Sequence, residues 1–190
     1  MIDTTFSKQE ISLLHNIINH SIQAITSTEP DAWNYIYGNV CLKLDNIILE
    51  LNNEEETIPF YDGQEDIALF KLKQLSPAET FYPLVINSPV ITTRLNQKVE
   101  KIIIVEDEIT TKNSHGELLY AIKSVTAIIF KTAQQYITFG REWFFSENIS
   151  YNNGASYLDK IYPISNVIEN WTDEESDIIA SCKRTFNTIK

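Results

Sequence analysis

Residues 33–51, WNYIYGNVCLKLDNIILEL, decide the fold class. Val40, Leu42 and Leu44 recur at every second position, the spacing that puts apolar side chains on one face of a strand. The pair Asp45–Asn46 then supplies turn chemistry, so the stretch reads as a β-hairpin. The same period of two returns at Leu118, Tyr120 and Ile122, in sequence dense in β-branched and aromatic residues. Turn signals punctuate this middle region at Asp62–Gly63, at NSHG (113–116), at Gln134–Gln135 and at NNG (152–154). Connections this short join antiparallel neighbours, because a parallel pair needs a crossover of about a dozen residues or more. A meander of about seven to nine antiparallel strands is predicted.

Working outward, the period changes to that of a helix at both ends. Ser7 and Glu10 form a capping-box pattern, and Ile11, Leu14, Ile18, Ile22 and Ile25 follow at spacings of three and four, which predicts a helix over 8–25. At the other end Thr172 and Glu175 repeat the capping pattern. Ile178, Cys182, Phe186 and Ile189 form an apolar stripe, and Lys183, Arg184 and Lys190 suit a helix C-terminus, so a closing helix is predicted there. The stretch 73–89, with Pro77, Pro83 and Pro89, is predicted to be irregular and to cross an edge or end of the sheet. With no internal repeat and no linker, the chain reads as one α+β domain over 1–190, both helices burying their stripes on the sheet.

The charge is lopsided. The 190 residues carry 26 acidic and 15 basic side chains, a net charge of −11 at pH 7. Such a field repels phosphate backbones and anionic lipid, so neither nucleic acid nor a membrane is an expected partner, whereas a basic protein would be steered in. No run approaches the roughly 18 apolar residues of a spanning helix. MIDTTFSKQE has no signal-peptide pattern, which makes the cytoplasm the expected location. Cys41 and Cys182 are too few for a disulfide framework or a cysteine-rich zinc site and read as buried free thiols.

Several chemistries fail on spacing. The five glycines stand alone, so no phosphate-binding loop is present, and His15 and His20 are five apart, which separates them around a helix instead of pairing them as ligands. No nucleophile sits in a signature, and neither a metal nor a cofactor is expected. What remains is NNEEETIPFYDGQED, 52–66, in which Glu54, Glu55, Glu56, Asp62, Glu65 and Asp66 occur with no basic residue. From Leu44 to Ile67 there are eight acids and no Lys or Arg. The run reads as a solvated loop, as a docking face for a basic protein, or as a carboxylate cleft of a hydrolase using Asp62, Glu65 or Asp66 beside Trp143 or Tyr151. Glu106, Asp107 and Glu108 are expected at the end of a strand, at the same end of the sheet.

In FGREWFFSENISY, 139–151, strand alternation would put Phe139, Arg141, Trp143 and Phe145 on one face, with Trp143 either in the core or an interface anchor. With the hairpin above, YAIKSVTAIIFKTAQQYITFGREWFFSENISY and the closing CKRTFNTI, the layout resembles small acidic bacterial immunity proteins of toxin systems. That resemblance covers most of the chain and implies stoichiometric binding and inhibition of a basic toxin domain, with no chemistry of its own. The expected function is a non-enzymatic binding module, with Glu54, Glu55, Glu56, Asp62, Glu65, Asp66 and Trp143 as partner-binding residues. The alternatives are the hydrolase, or a structural subunit that self-assembles through edge strands.

Overall fold

The structure is a computed structural model, and it describes residues 1–76, 79, 81–158 and 161–190; Pro77 of the irregular stretch lies outside them. In chain order the elements are β1 (Ile2–Thr4), α1 (Lys8–Ile17), β2 (Ser21–Thr28), β3 (Tyr35–Tyr37), β4 (Asn39–Leu44), β5 (Ile47–Phe60), β6 (Gly63–Leu75), β7 (Val90–Lys112), β8 (Leu118–Thr132), β9 (Tyr136–Arg141), β10 (Asn148–Gly154), α2 (Ile164–Trp171) and β11 (Ile179–Ile189). The α+β class holds: one helix toward each end of the chain flanks a multistranded antiparallel sheet. The strand order is β3-β10-β9-β8-β7-β2-β4-β5-β6, with β11 beside β7 and β1 beside β8 as the single parallel pair among the described strands. The eleven strands among the described residues exceed the seven to nine expected, because residues 21–28 and 179–189 are strands and not helix.

Both helix boundaries need correction. Ser7 and Glu10 do form the capping box, but α1 stops at Ile17, and Asn19 takes a left-handed φ of 69° before β2 begins. Ile22 and Ile25 are buried, yet from a strand. Between Ile22 and Ala24 the register with β4 slips by one residue. A bulge of this kind gives two core-facing residues a spacing of three, which mimics a helical repeat. At the far end Thr172 closes α2 instead of opening a helix: its Oγ1 donates to the carbonyl of Ile168 and accepts from the amide of Ala180. Residues 179–189 then pair with β7 through eleven positions, Ile179 opposite Lys112 and Ile189 opposite Ile102. Phe186, placed on the predicted stripe, is instead 46% exposed. The turns at 45–46, 113–116 and 134–135 stand between strands as read, whereas NNG at 152–154 continues β10 opposite β9.

The strand β7 is 23 residues long and organises the sheet. Its residues 90–98 pair with β2 and its residues 102–112 lie between β8 and β11, with register shifts that let one strand bend between the two settings. The largest apolar cluster gathers Leu14 and Ile17 of α1 with Ile22, Leu42, Leu51, Phe70, Ile104, Phe130 and Phe139 from seven strands. A second forms around Ile58, Ile67, Leu69, Tyr120, Phe144 and Trp171. Hairpin β5–β6 serves both: Leu49, Leu51, Phe70 and Leu72 enter the first, and Ile58, Ile67 and Leu69 enter the second. Asn53, fully buried, ties β5 to the β3–β4 turn through its backbone amide, which donates to Gly38 O (2.7 Å), and to the β9–β10 connection through Nδ2, which donates to Ser146 O (2.9 Å).

Strand β6 ends the order, and its outer edge is covered. The amide of Leu72 donates to Glu10 Oε1 (2.9 Å) while Glu10 Oε2 accepts from the amide of Ser7 (2.8 Å), and the amide of Ala68 donates to the carbonyl of Phe144 (3.0 Å). Exposed edge amides invite pairing with other chains, and these contacts block it. Replacing Glu10 with alanine removes a helix cap and orphans the Leu72 amide, so a loss of about 1–3 kcal/mol is expected in chemical denaturation. No helix among the described residues is long and apolar enough to cross a membrane.

Candidate functional site

The acidic run is not a loop. It is the outer half of β5–β6, paired without a break from Glu54 opposite Leu69 to Phe60 opposite Gly63, and closed by the two-residue turn Tyr61–Asp62. Directly opposed residues share a face of an antiparallel ribbon. Glu54, Glu56 and Glu65 therefore lie on the face that also carries Ile58 and Ile67, Glu55 and Asp66 lie on the other, and Asp62 sits at the tip. Only Glu56 forms an ion pair among the described residues, with Lys71 at 3.0 Å, and Asp66 accepts from Thr57 Oγ1 at 2.5 Å. The remaining hairpin carboxylates have no lysine or arginine of the described residues at ion-pair distance. The Tyr37 hydroxyl donates to Glu147, and with burial, Glu147 and Glu55 also acting on it, its pKa is raised to about 12.

The hairpin tip is held rigidly. Tyr61 adopts φ 48°, a left-handed conformation unusual for a bulky side chain, which persists only where surrounding contacts impose it. Its ring lies 4.8 Å from Phe60 and 5.1 Å from Tyr120, and its hydroxyl donates to Thr111 Oγ1 (3.2 Å). Phe60 in turn packs on Trp171 of α2 (5.6 Å) and on Phe145 (6.1 Å). Trp143, half-buried, packs at a tilt on Phe145 (5.0 Å), which links it through Phe60 to the hairpin tip. It does so without the strand expected at 139–146. Strand β9 ends at Arg141, and Trp143, Phe144 and Phe145 belong to the connection to β10. Arg141 is buried, donates to the carbonyl of Ala68 and to Ser124 Oγ (2.6 Å), and lies 4.2 Å from the Phe144 ring centre. Burial lowers its pKa to about 10, opposed by Asp107. This side chain anchors β6 to β8 and β9 at the root of the acidic segment.

The acids at 106–108 are not part of that surface. They sit in the middle of β7, where Glu106 pairs with Lys123 (2.6 Å) and the fully buried Asp107 takes two bonds from Arg184 (both 2.7 Å). His20 lies beyond α1 and meets Asp45 (2.9 Å), while His15 and His115 are exposed. Cys41 is buried, whereas Cys182 is only partly so. Burial first, and then Glu50 for Cys41 and Asp107 for Cys182, raises each thiol to about 12. An acid raised on folding stabilises the fold below its unfolded pKa and loses that contribution as pH climbs through the folded value. At mildly alkaline pH both thiols are expected to react with a disulfide reagent at least about tenfold more slowly than in the denatured chain. Among the described residues no cluster of His, Cys, Asp and Glu is placed to hold a metal ion.

Sequence reasoning missed one surface. Tyr82 (74% exposed) and Ile86 (83%) are among the most exposed large apolar side chains, with the exposed Leu84 and Val85 between them and Tyr37 (38%) nearby on the turn under Leu84. The signal was present: FYPLVINSPVI, 81–91, is an apolar run in a proline-broken segment, where no strand face exists to absorb it. Comparisons with protein-family models, with curated proteins and with solved structures found no match to this chain.

Proposed function

We propose that this chain is a non-enzymatic protein-binding module that presents the β5–β6 hairpin to a cationic protein surface, as an immunity-type inhibitor would meet a basic toxin domain. The observation that carries the reading is the hairpin itself: six carboxylates along a rigidly anchored ribbon, one of them neutralised by a lysine. Charges left unpaired at the surface contribute little to folding but steer an oppositely charged partner. The hydrolase alternative gains no support. Glu65 and Asp66 point to opposite faces, Asp62 caps a turn, and none of the three lines the cavities beside Arg141, Tyr37, Tyr82, Asp45 or α1.

Affinity capture with the tagged chain is expected to retain a protein with a basic domain at low ionic strength and to release it at high salt. Retention of acidic metabolic enzymes, or of nothing, would contradict the proposal. A second reading, self-assembly, is favoured by the edge of β7: residues 90–98 pair on one side only among the described strands. Arg94 and Lys98 charge that edge, as edges protected against pairing are. Sedimentation velocity is expected to show a monomer, and concentration-dependent growth would favour the subunit.

A further inference from the structure

We infer that the exposed apolar surface formed by Tyr37, Tyr82, Leu84, Val85 and Ile86 is the docking centre for the cationic partner, with the neighbouring carboxylates pairing to lysines and arginines around it. The inference rests on the partner-binding reading above and specifies where the contact lies.

Three observations carry it. The 82–89 segment is seated on the turn that carries Tyr37: the Leu84 side chain sits over Gly38, where an added Cβ would come within 2.4 Å of its Cδ1. Asn39 Nδ2 donates to the carbonyl of Tyr82 (2.9 Å), and the amide of Glu29 donates to that of Pro89 (2.9 Å). Gly38 has φ 73°, so its turn and the seat for Leu84 are set together. Second, the patch sets two Tyr, a residue type enriched among interface anchors, among aliphatic neighbours, and a contiguous exposed apolar patch is uncommon on a protein without a partner. Third, the electrostatics select the occupant. Residues 28–42 and 76–93 contain no Lys or Arg, Glu29 and Asp31 are exposed beside the Tyr37 turn, Glu147 accepts from the Tyr37 hydroxyl, and Lys73, which lines the cavity beside Tyr82 and Leu84, is paired with Glu79 (3.7 Å). A second copy of this chain would bring like charges together, and an anionic surface would be repelled. A basic protein with an apolar prominence meets both requirements, the apolar part supplying residence time and the charges supplying encounter rate.

The probe is the basic protein retained by the wild-type chain, once identified and purified, measured by stopped flow. Val85→Ser combined with Ile86→Ser removes two exposed side chains, which leaves the core intact, and thermal unfolding at the wild-type midpoint verifies this. The expected result is a dissociation rate raised at least about tenfold with the association rate changed less than about threefold. Hydrogen exchange on the complex is expected to slow at 31–38 and 81–88. A double variant that dissociates at the wild-type rate, with exchange unchanged in those segments, would overturn this inference while leaving the hairpin reading intact. Failure of the chain to retain any basic protein would overturn both.

Discussion

Replacing Asp107 with alanine is expected to cost about 3–5 kcal/mol of stability, the largest single effect in the molecule outside its apolar core. Asp107 is fully buried in the middle of β7, directly opposite Arg184 of β11, whose Nε and Nη2 each donate at 2.7 Å. The Arg184 Nη2 also donates to the carbonyl of Tyr162, two residues before α2, so a single guanidinium joins β7, β11 and the approach to the helix. Deleting the carboxylate strands that arginine and removes the negative charge that acts on the buried Arg141. Urea denaturation of the alanine variant measures the cost. Asp107→Leu combined with Arg184→Met is expected to recover most of it, since two apolar groups leave no unpaired charge behind. A loss below about 1 kcal/mol for the single variant would mean that water screens the pair and that β11 is held by backbone pairing alone.

The second large effect is on association. Reversing Glu54, Glu55 and Glu56 to lysine is expected to slow encounter with a basic partner by about tenfold to a hundredfold at low ionic strength. The thermal midpoint should hardly move. These side chains stand on the outer ribbon, their one ion pair is the surface contact of Glu56 with Lys71, and such pairs are worth about 0–1 kcal/mol. Stopped-flow rates and thermal unfolding of the same preparation separate the two. Unchanged association would remove the hairpin from the interface, and a collapse in stability would show that the carboxylates hold the fold.

The middle of the chain was legible because its signals are local. Alternation at Val40, Leu42 and Leu44 and the turn at Asp45–Asn46 specify a hairpin that the structure contains with that turn. The terminal segments misled because their spacing is ambiguous. Ile22 and Ile25 reach the core through a bulged strand, which reproduces the spacing of a helix. In residues 179–189 the decisive term is eleven positions of pairing with β7, a long-range interaction that no window of sequence carries. Part of the candidate surface was legible as well: the absence of lysine and arginine between Leu44 and Ile67 marked the hairpin. Its division between two faces, and the union of Trp143 with the tip through Phe145 and Phe60, depend on register and tertiary packing. The acids at 106–108 show the converse. Their composition matches the hairpin's, yet Lys123 and Arg184 arrive from β8 and β11 to neutralise Glu106 and Asp107.

The most direct measurement is the association rate of the wild-type chain with its captured partner as ionic strength is raised. If a carboxylate ribbon meets a cationic surface, the rate falls steeply as the Debye length contracts to about 3 Å near molar salt, while the dissociation rate changes little. An association rate that stays flat across that range would contradict the account.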